Sequence, residues 1–156
     1  MVLELDSHGF PKTSGIFETI KTLNGQPIAL ARHMRRALDS ARSLGLKMPP
    51  EEELRTDLRK ILHDEPHEVG KLRICIYADG FHLSHDEYTE PTSPLRFTFF
   101  SQTVSGEEHK QFPYDHRFEL LKSAQDEGFD DCILFNVKNG VTESAVANLL
   151  FLIQGT

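Results

Sequence analysis

Gly15-Ile16-Phe17-Glu18-Thr19-Ile20-Lys21-Thr22-Leu23-Asn24-Gly25-Gln26-Pro27-Ile28-Ala29-Leu30 is the stretch that decides the fold class. It opens as a run rich in β-formers, turns at Asn24-Gly25 and resumes through Ile28. Asn-Gly accepts positive φ at both central positions of a tight turn, so the stretch reads as a β-hairpin. Directly after it, Leu30, Met34, Ala37, Ala41 and Leu44 recur at helical spacing. That pattern predicts a helix with one apolar stripe, stopped near Gly45 and Pro49-Pro50. Strands followed at once by a one-sided helix announce an α+β arrangement.

The rest of the chain continues this grammar. A second helix opens with Glu51-Glu52-Glu53, charges suited to the positive end of a helix dipole, and carries Leu54, Leu58, Ile61 and Leu62 on one face. Lys71 to Tyr77 and Leu95 to Val104 read as strands, with Asp79-Gly80 through Pro94 as a long polar turn between them. Ser105 to His109 is a polar linker. Beyond it, Phe118, Leu121 and Ala124 predict a helix ending at Gly128, followed by a strand from Cys132 to Phe135 and a turn at Lys138-Asn139-Gly140. The run Asn148-Leu149-Leu150-Phe151-Leu152-Ile153 reads as a buried central strand. The expected layout is a two-layer α/β N-terminal domain over residues 1–104, a linker over 105–109, and the start of a second α/β domain over 110–156.

Composition narrows the function classes. The chain has 156 residues, with 17 Lys+Arg against 24 Asp+Glu and a formal net charge of −7. An acidic domain of this size can bury a real core and is a poor match for the phosphates of nucleic acid or a membrane surface. Anionic small molecules remain possible, because a pocket needs only one or two cations. No apolar stretch approaches the ~20 residues of a membrane span, and the N-terminus lacks the basic start and apolar core of a signal peptide. Cys75 and Cys132 each sit inside an apolar run and read as buried free thiols of a reducing compartment, so a cytoplasmic location is expected.

Single residues carry little chemistry by themselves. His82 and His85 are three apart with no third ligand fixed nearby, so they read as structural or solvated side chains rather than a metal site. His63-Asp64-Glu65-Pro66-His67 is polar punctuation after a helix. Arg32-His33-Met34-Arg35-Arg36 is a cationic cluster that most often marks a solvated helix face. Lys110 follows the linker, and Glu143 stands between a turn and the terminal apolar run.

Their order, in contrast, is informative. Gly15 to Ile20, Ala31-Arg32-His33-Met34-Arg35-Arg36-Ala37-Leu38-Asp39-Ser40-Ala41, Gly128-Phe129-Asp130-Asp131, Asn139-Gly140-Val141-Thr142-Glu143-Ser144 and Ala147-Asn148-Leu149 follow one another in the sequence. This progression resembles the class IV (fold-type IV) pyridoxal-phosphate enzymes. That family contains branched-chain aminotransferases, D-amino acid aminotransferases and aminodeoxychorismate lyases. The resemblance implies a homodimer that binds pyridoxal 5′-phosphate and acts on a small amino substrate. By the same resemblance, Lys110 matches the lysine that forms a Schiff base with the cofactor, Glu143 the carboxylate facing the pyridine nitrogen, and Arg36 an arginine on the cofactor phosphate. Tyr114 matches a phosphate-contacting tyrosine at a slightly different interval.

The chemistry suits those residue types. A Schiff-base lysine must lose its proton, an arginine fork meets a phosphate at two points, and a carboxylate at the ring nitrogen tunes the cofactor. The Phe-Glu-Thr-Ile and Val-Thr-Glu-Ser elements lean by resemblance toward the lyase, which forms 4-aminobenzoate and pyruvate, over an amino-acid aminotransferase. Family members continue past the segment matched by Thr156 with a helix whose N–H groups hold the phosphate. A truncated α+β domain that keeps only the family's fold and dimer surface is therefore the alternative expectation.

Overall fold

The computed structural model describes residues 3–101, 109–136 and 140–154. The chain divides into two compact units, one formed by 1–90 with 108–113 and the other by 91–107 with 114–156. The expected linker, apart from His109, and the Lys138-Asn139 part of the expected turn lie outside the described residues.

The first unit is built on β1 (Gly15–Leu23), β2 (Gln26–Pro27), α1 (Leu30–Leu44), α2 (Glu51–Asp64), β3 (Val69–Tyr77), β4 (Gly80–Glu87) and β6 (Gln111–Phe112). The β1–β2 hairpin is present, with positive φ at Asn24 (49°) and Gly25 (74°), as the Asn-Gly turn requires. β1 pairs antiparallel with β3 along its whole length, β3 with β4, and β6 with the N-terminal end of β1. The stretch expected as a long turn from Asp79 contains β4. Its polar alternation hides a strand whose register puts Leu83 opposite Ile74 and His85 opposite Leu72.

Alternation along β1 sends Ile16, Glu18, Ile20 and Thr22 to one face and Phe17, Thr19 and Lys21 to the other. The first face packs with Leu72, Ile74 and Ile76 of β3 beneath Ala37 and Ala41 of α1 and Leu54 and Leu58 of α2. α1 ends at Gly45 in the left-handed conformation (φ 67°), its N–H returned to the last helical carbonyls. Phe10, Phe17 and Phe112 cluster on the opposite face, with ring centroids 4.8 and 5.7 Å apart. Gly15 makes the β6 junction possible, because a Cβ there would come within 2.2 Å of the Ile76 carbonyl and 2.7 Å of the Phe112 ring.

His85 is locked into the first core. Its Nδ1–H donates to the Glu65 carbonyl at 2.8 Å, so Nε2 accepts from the Thr22 hydroxyl, also at 2.8 Å. Gly70 leaves the room, since a Cβ there would press to 2.3 Å on the imidazole. His82 and His85 lie on strand β4 rather than in a loop. Their register partners, Cys75 and Leu72, place them on opposite faces, so the two rings do not converge.

The second unit comprises β5 (Phe97–Ser101), α3 (Asp115–Asp126), β7 (Asp131–Asn136) and β8 (Gly140–Ser144). β7 is the central strand, parallel to β5 and antiparallel to β8. Leu120 and Ala124 of α3 cover Cys132, Leu134 and Ala145, with Phe100, Leu121 and Phe129 around them. The buried face of α3 is Arg117, Leu120 and Ala124, one register away from the expected Phe118 and Leu121 stripe.

The last apolar run forms no strand among the described residues. Leu150 is 99% and Leu152 79% exposed, with no β-partner described for either. Hydrophobicity made this run look like a central strand, but a strand exists only where a neighbour accepts its ladder. The described residues show no helix long and apolar enough to cross a membrane.

Candidate active site

In the first unit, Lys110 lies immediately before β6, the short strand laid against β1. Its carbonyl accepts a hydrogen bond from the Phe17 amide at 2.9 Å, and its Nζ lies 4.9 Å from the centroid of the Phe17 ring. The side chain is thus held on the aromatic face of the sheet, by backbone pairing at one end and ring contact at the other.

Arg36 belongs to α1 and meets Glu18, for which the Phe-Glu-Thr-Ile element gave no partner. Glu18 is 2% exposed, on the helix-covered face between Ile16 and Ile20. Its carboxylate accepts from Arg36 Nε at 2.6 Å, Arg36 Nη2 at 2.5 Å and His33 Nδ1 at 2.7 Å. A buried carboxylate persists only when it is well hydrogen-bonded, and three donors meet its two oxygens here. Glu18 raises the Arg36 guanidinium pKa, by direct hydrogen bonding first, against an opposing effect of desolvation. The Arg36 side chain is still 52% exposed, although its Nε and Nη2 are both held by Glu18.

In the second unit, Tyr114 stands at the N-terminal boundary of α3. Its hydroxyl lies 3.5 Å from the Ala145 carbonyl, beside the end of β8, and its ring meets Phe118 edge-on at 5.6 Å. Glu143 sits on β8 opposite Leu134, with a side chain 37% exposed. One of its oxygens accepts from Nη2 of Arg117 at 2.5 Å. Asp131 is buried and accepts from the amides of Cys132 (2.7 Å) and Ala145 (3.1 Å), tying the start of β7 to the residue after β8.

Arg36 and Lys110 thus belong to the first unit, Tyr114 and Glu143 to the second. Sequence reading missed Glu18 and Arg117. The signal for each was available as a charged residue at an apolar position, Glu18 inside a β-former run and Arg117 on the stripe shared with Leu120 and Ala124. Neither cysteine competes as a nucleophile, since both are buried and free. Burial pushes the Cys75 thiol up to about 12, and burial followed by the neighbouring Asp131 raises Cys132. A cleft of about 600 Å³ between α2 and β4 is lined by Glu53, Asp57, Asp64, Glu65 and Asp79 against Lys60. Its charge is wrong for a phosphate-bearing ligand.

The residues fit pyridoxal phosphate unit by unit. Arg36 offers a half-exposed guanidinium charge, braced by Glu18, for a phosphate. Glu143 keeps an oxygen without a described partner, which can accept from a ring N–H, and Lys110 offers an amine on an aromatic surface. Arg117 Nη1 is buried and has no acceptor among the described residues.

Among solved structures, the chain is similar to a 4-amino-4-deoxychorismate lyase at 22% identity and TM-score 0.76, covering 93% of this chain and 63% of the other. A 4-amino-4-deoxychorismate lyase from Legionella pneumophila matches at 23% identity and TM-score 0.68, covering 84% and 56%. An aminotransferase from Mycobacterium tuberculosis, in a form with alpha-ketoglutarate and PMP bound, matches at 18% identity and TM-score 0.71, covering 84% and 55%. At these identities the likeness shows the shared fold, and the chain spans a little over half the length of these neighbours. No curated protein matches. The sequence matches the family "Amino-transferase class IV" over residues 15–156, and the chain belongs to that family.

Proposed function

We propose that this chain acts on an amino substrate with pyridoxal phosphate held by Lys110, as an aminodeoxychorismate lyase forming 4-aminobenzoate and pyruvate or as an amino-acid aminotransferase. The observation that carries the reading is the family match over residues 15–156, which takes in Arg36, Lys110, Tyr114 and Glu143 together. The cofactor, when bound, withdraws electron density from the substrate α-carbon.

The chain's own residues do the rest. Lys110 would hold the cofactor through its ε-amine and would carry a proton to and from the substrate α-carbon. Arg36, braced by Glu18, takes the phosphate, and Tyr114 is a second phosphate contact. Glu143 accepts from the ring nitrogen. The active form is a homodimer in the cytoplasm. A second reading, a non-catalytic domain that keeps the family's fold and dimer surface, is favoured by one observation. The Arg36 fork is already engaged by a buried carboxylate within the chain.

Titration of the purified protein with pyridoxal phosphate, followed by a substrate panel, tests the proposal. Binding with a visible absorption band, then release of 4-aminobenzoate from aminodeoxychorismate, supports the lyase. Amino transfer between an amino acid and an oxo acid supports the aminotransferase. Protein that stays colourless with excess cofactor supports the non-catalytic reading.

A further inference from the structure

We propose that Arg117 is the positioning residue for Glu143, taking one carboxylate oxygen so that the other is aimed at the cofactor's ring nitrogen. The inference rests on the role given to Glu143 above. Arg117 is buried on α3 with a side chain 5% exposed, whereas its partner Glu143 is 37% exposed. Packing does not ask for arginine here, because a leucine would continue the face formed by Leu120 and Ala124.

Arginine also leaves Nη1 buried without a described acceptor, a costly arrangement for a strong donor. What the guanidinium supplies instead is orientation. A single Nη2–H bond from a guanidinium fixed by burial on α3 sets one carboxylate oxygen, where a flexible lysine would supply a point charge. Glu143 is opposite Leu134 in register, and Leu134 is fully buried beneath α3. The strand therefore carries the carboxylate along the helix-covered face, and Nη2 closes the link at 2.5 Å. Arg117 touches neither substrate nor cofactor in this account and acts through Glu143.

The test compares pyridoxal phosphate with its 1-deaza analogue, in which the ring nitrogen is replaced by C–H, using equilibrium binding to wild type, Arg117→Met and Arg117→Lys. Arg117→Met is expected to weaken pyridoxal phosphate about tenfold and the analogue less than about twofold, with Arg117→Lys about threefold weaker for pyridoxal phosphate. Equal weakening of both ligands, or of neither, overturns the inference and leaves the proposed function standing. Wild-type protein that binds neither refutes the proposed function itself and the inference with it. If Arg117→Met does not fold, ¹⁵N spectra of the Arg117 guanidinium decide. Slow rotation in wild type that is released in Glu143→Gln supports the pairing, and the same rotation rate in both overturns it.

Discussion

Removing Arg36 should destabilise the protein far more than removal of a half-exposed arginine normally does. Arg36 donates two of the three hydrogen bonds that satisfy the Glu18 carboxylate, which is 2% exposed. In Arg36→Met, Glu18 keeps only His33, at 2.7 Å. Breaking a fully buried pair costs about 3–5 kcal/mol. Relaxation of the carboxylate toward the solvent that already reaches Arg36 puts the expected loss near the lower end, about 3 kcal/mol.

Glu18→Gln keeps the shape and one acceptor while freeing Arg36 into water, and should cost about 2 kcal/mol. The double variant has no buried charge left to strand. It should therefore lose about 3 kcal/mol, short of the sum by about 2. Urea unfolding followed by far-UV circular dichroism measures all four proteins. At a slope near 1.5 kcal/mol per molar urea, the Arg36→Met midpoint falls by about 2 M. An Arg36→Met loss below about 0.5 kcal/mol, or strict additivity in the double variant, would refute the idea that Glu18 is a buried charge held by α1.

Three further outcomes follow from other parts of the structure. Gly15→Ala must displace either the Ile76 carbonyl or the Phe112 ring, and should cost about 2 kcal/mol or more; amide exchange at Phe17, whose N–H is bonded to Lys110, should accelerate, and unchanged exchange contradicts this. Cys75 and Cys132 should resist an aromatic disulfide reagent at pH 8 in the native protein and react in urea; rapid native labelling of Cys75 contradicts its burial. His82 has its pKa lowered, first by burial and then by the charge of Arg73, so the unfolded chain binds the proton more tightly. Its contribution is complete above the unfolded value of about 6.5 and declines as pH falls through the lower folded value. The urea midpoint of wild type should therefore drop more between pH 7.5 and 5 than that of His82→Gln, and equal drops exclude the effect.

Local rules made part of this fold legible and long-range partnership hid the rest. The Asn24-Gly25 hairpin and the stripe of Met34, Ala37 and Ala41 are fixed by neighbours in sequence, and both are present. Strand β4 was concealed because its exposed positions are polar and its identity comes from pairing with β3. The terminal run from Asn148 failed in the opposite sense, since apolar content measures a wish for burial and says nothing of an available edge. The same holds for the site. Lys110, Arg36, Tyr114 and Glu143 were named by resemblance, whereas Glu18 and Arg117 were passed over as a strand residue and a helix residue. Their partners lie 18 and 26 positions away, beyond the range of any local periodicity.

The proposed function stands on Lys110 as the residue that carries pyridoxal phosphate. Incubation of the protein with the cofactor, reduction with borohydride and mapping of the modified peptide tests it directly. The predicted result is one label, on Lys110, that is absent from Lys110→Ala while the urea midpoint of that variant stays near wild type. A label on another lysine, or no label at saturating cofactor, would contradict it.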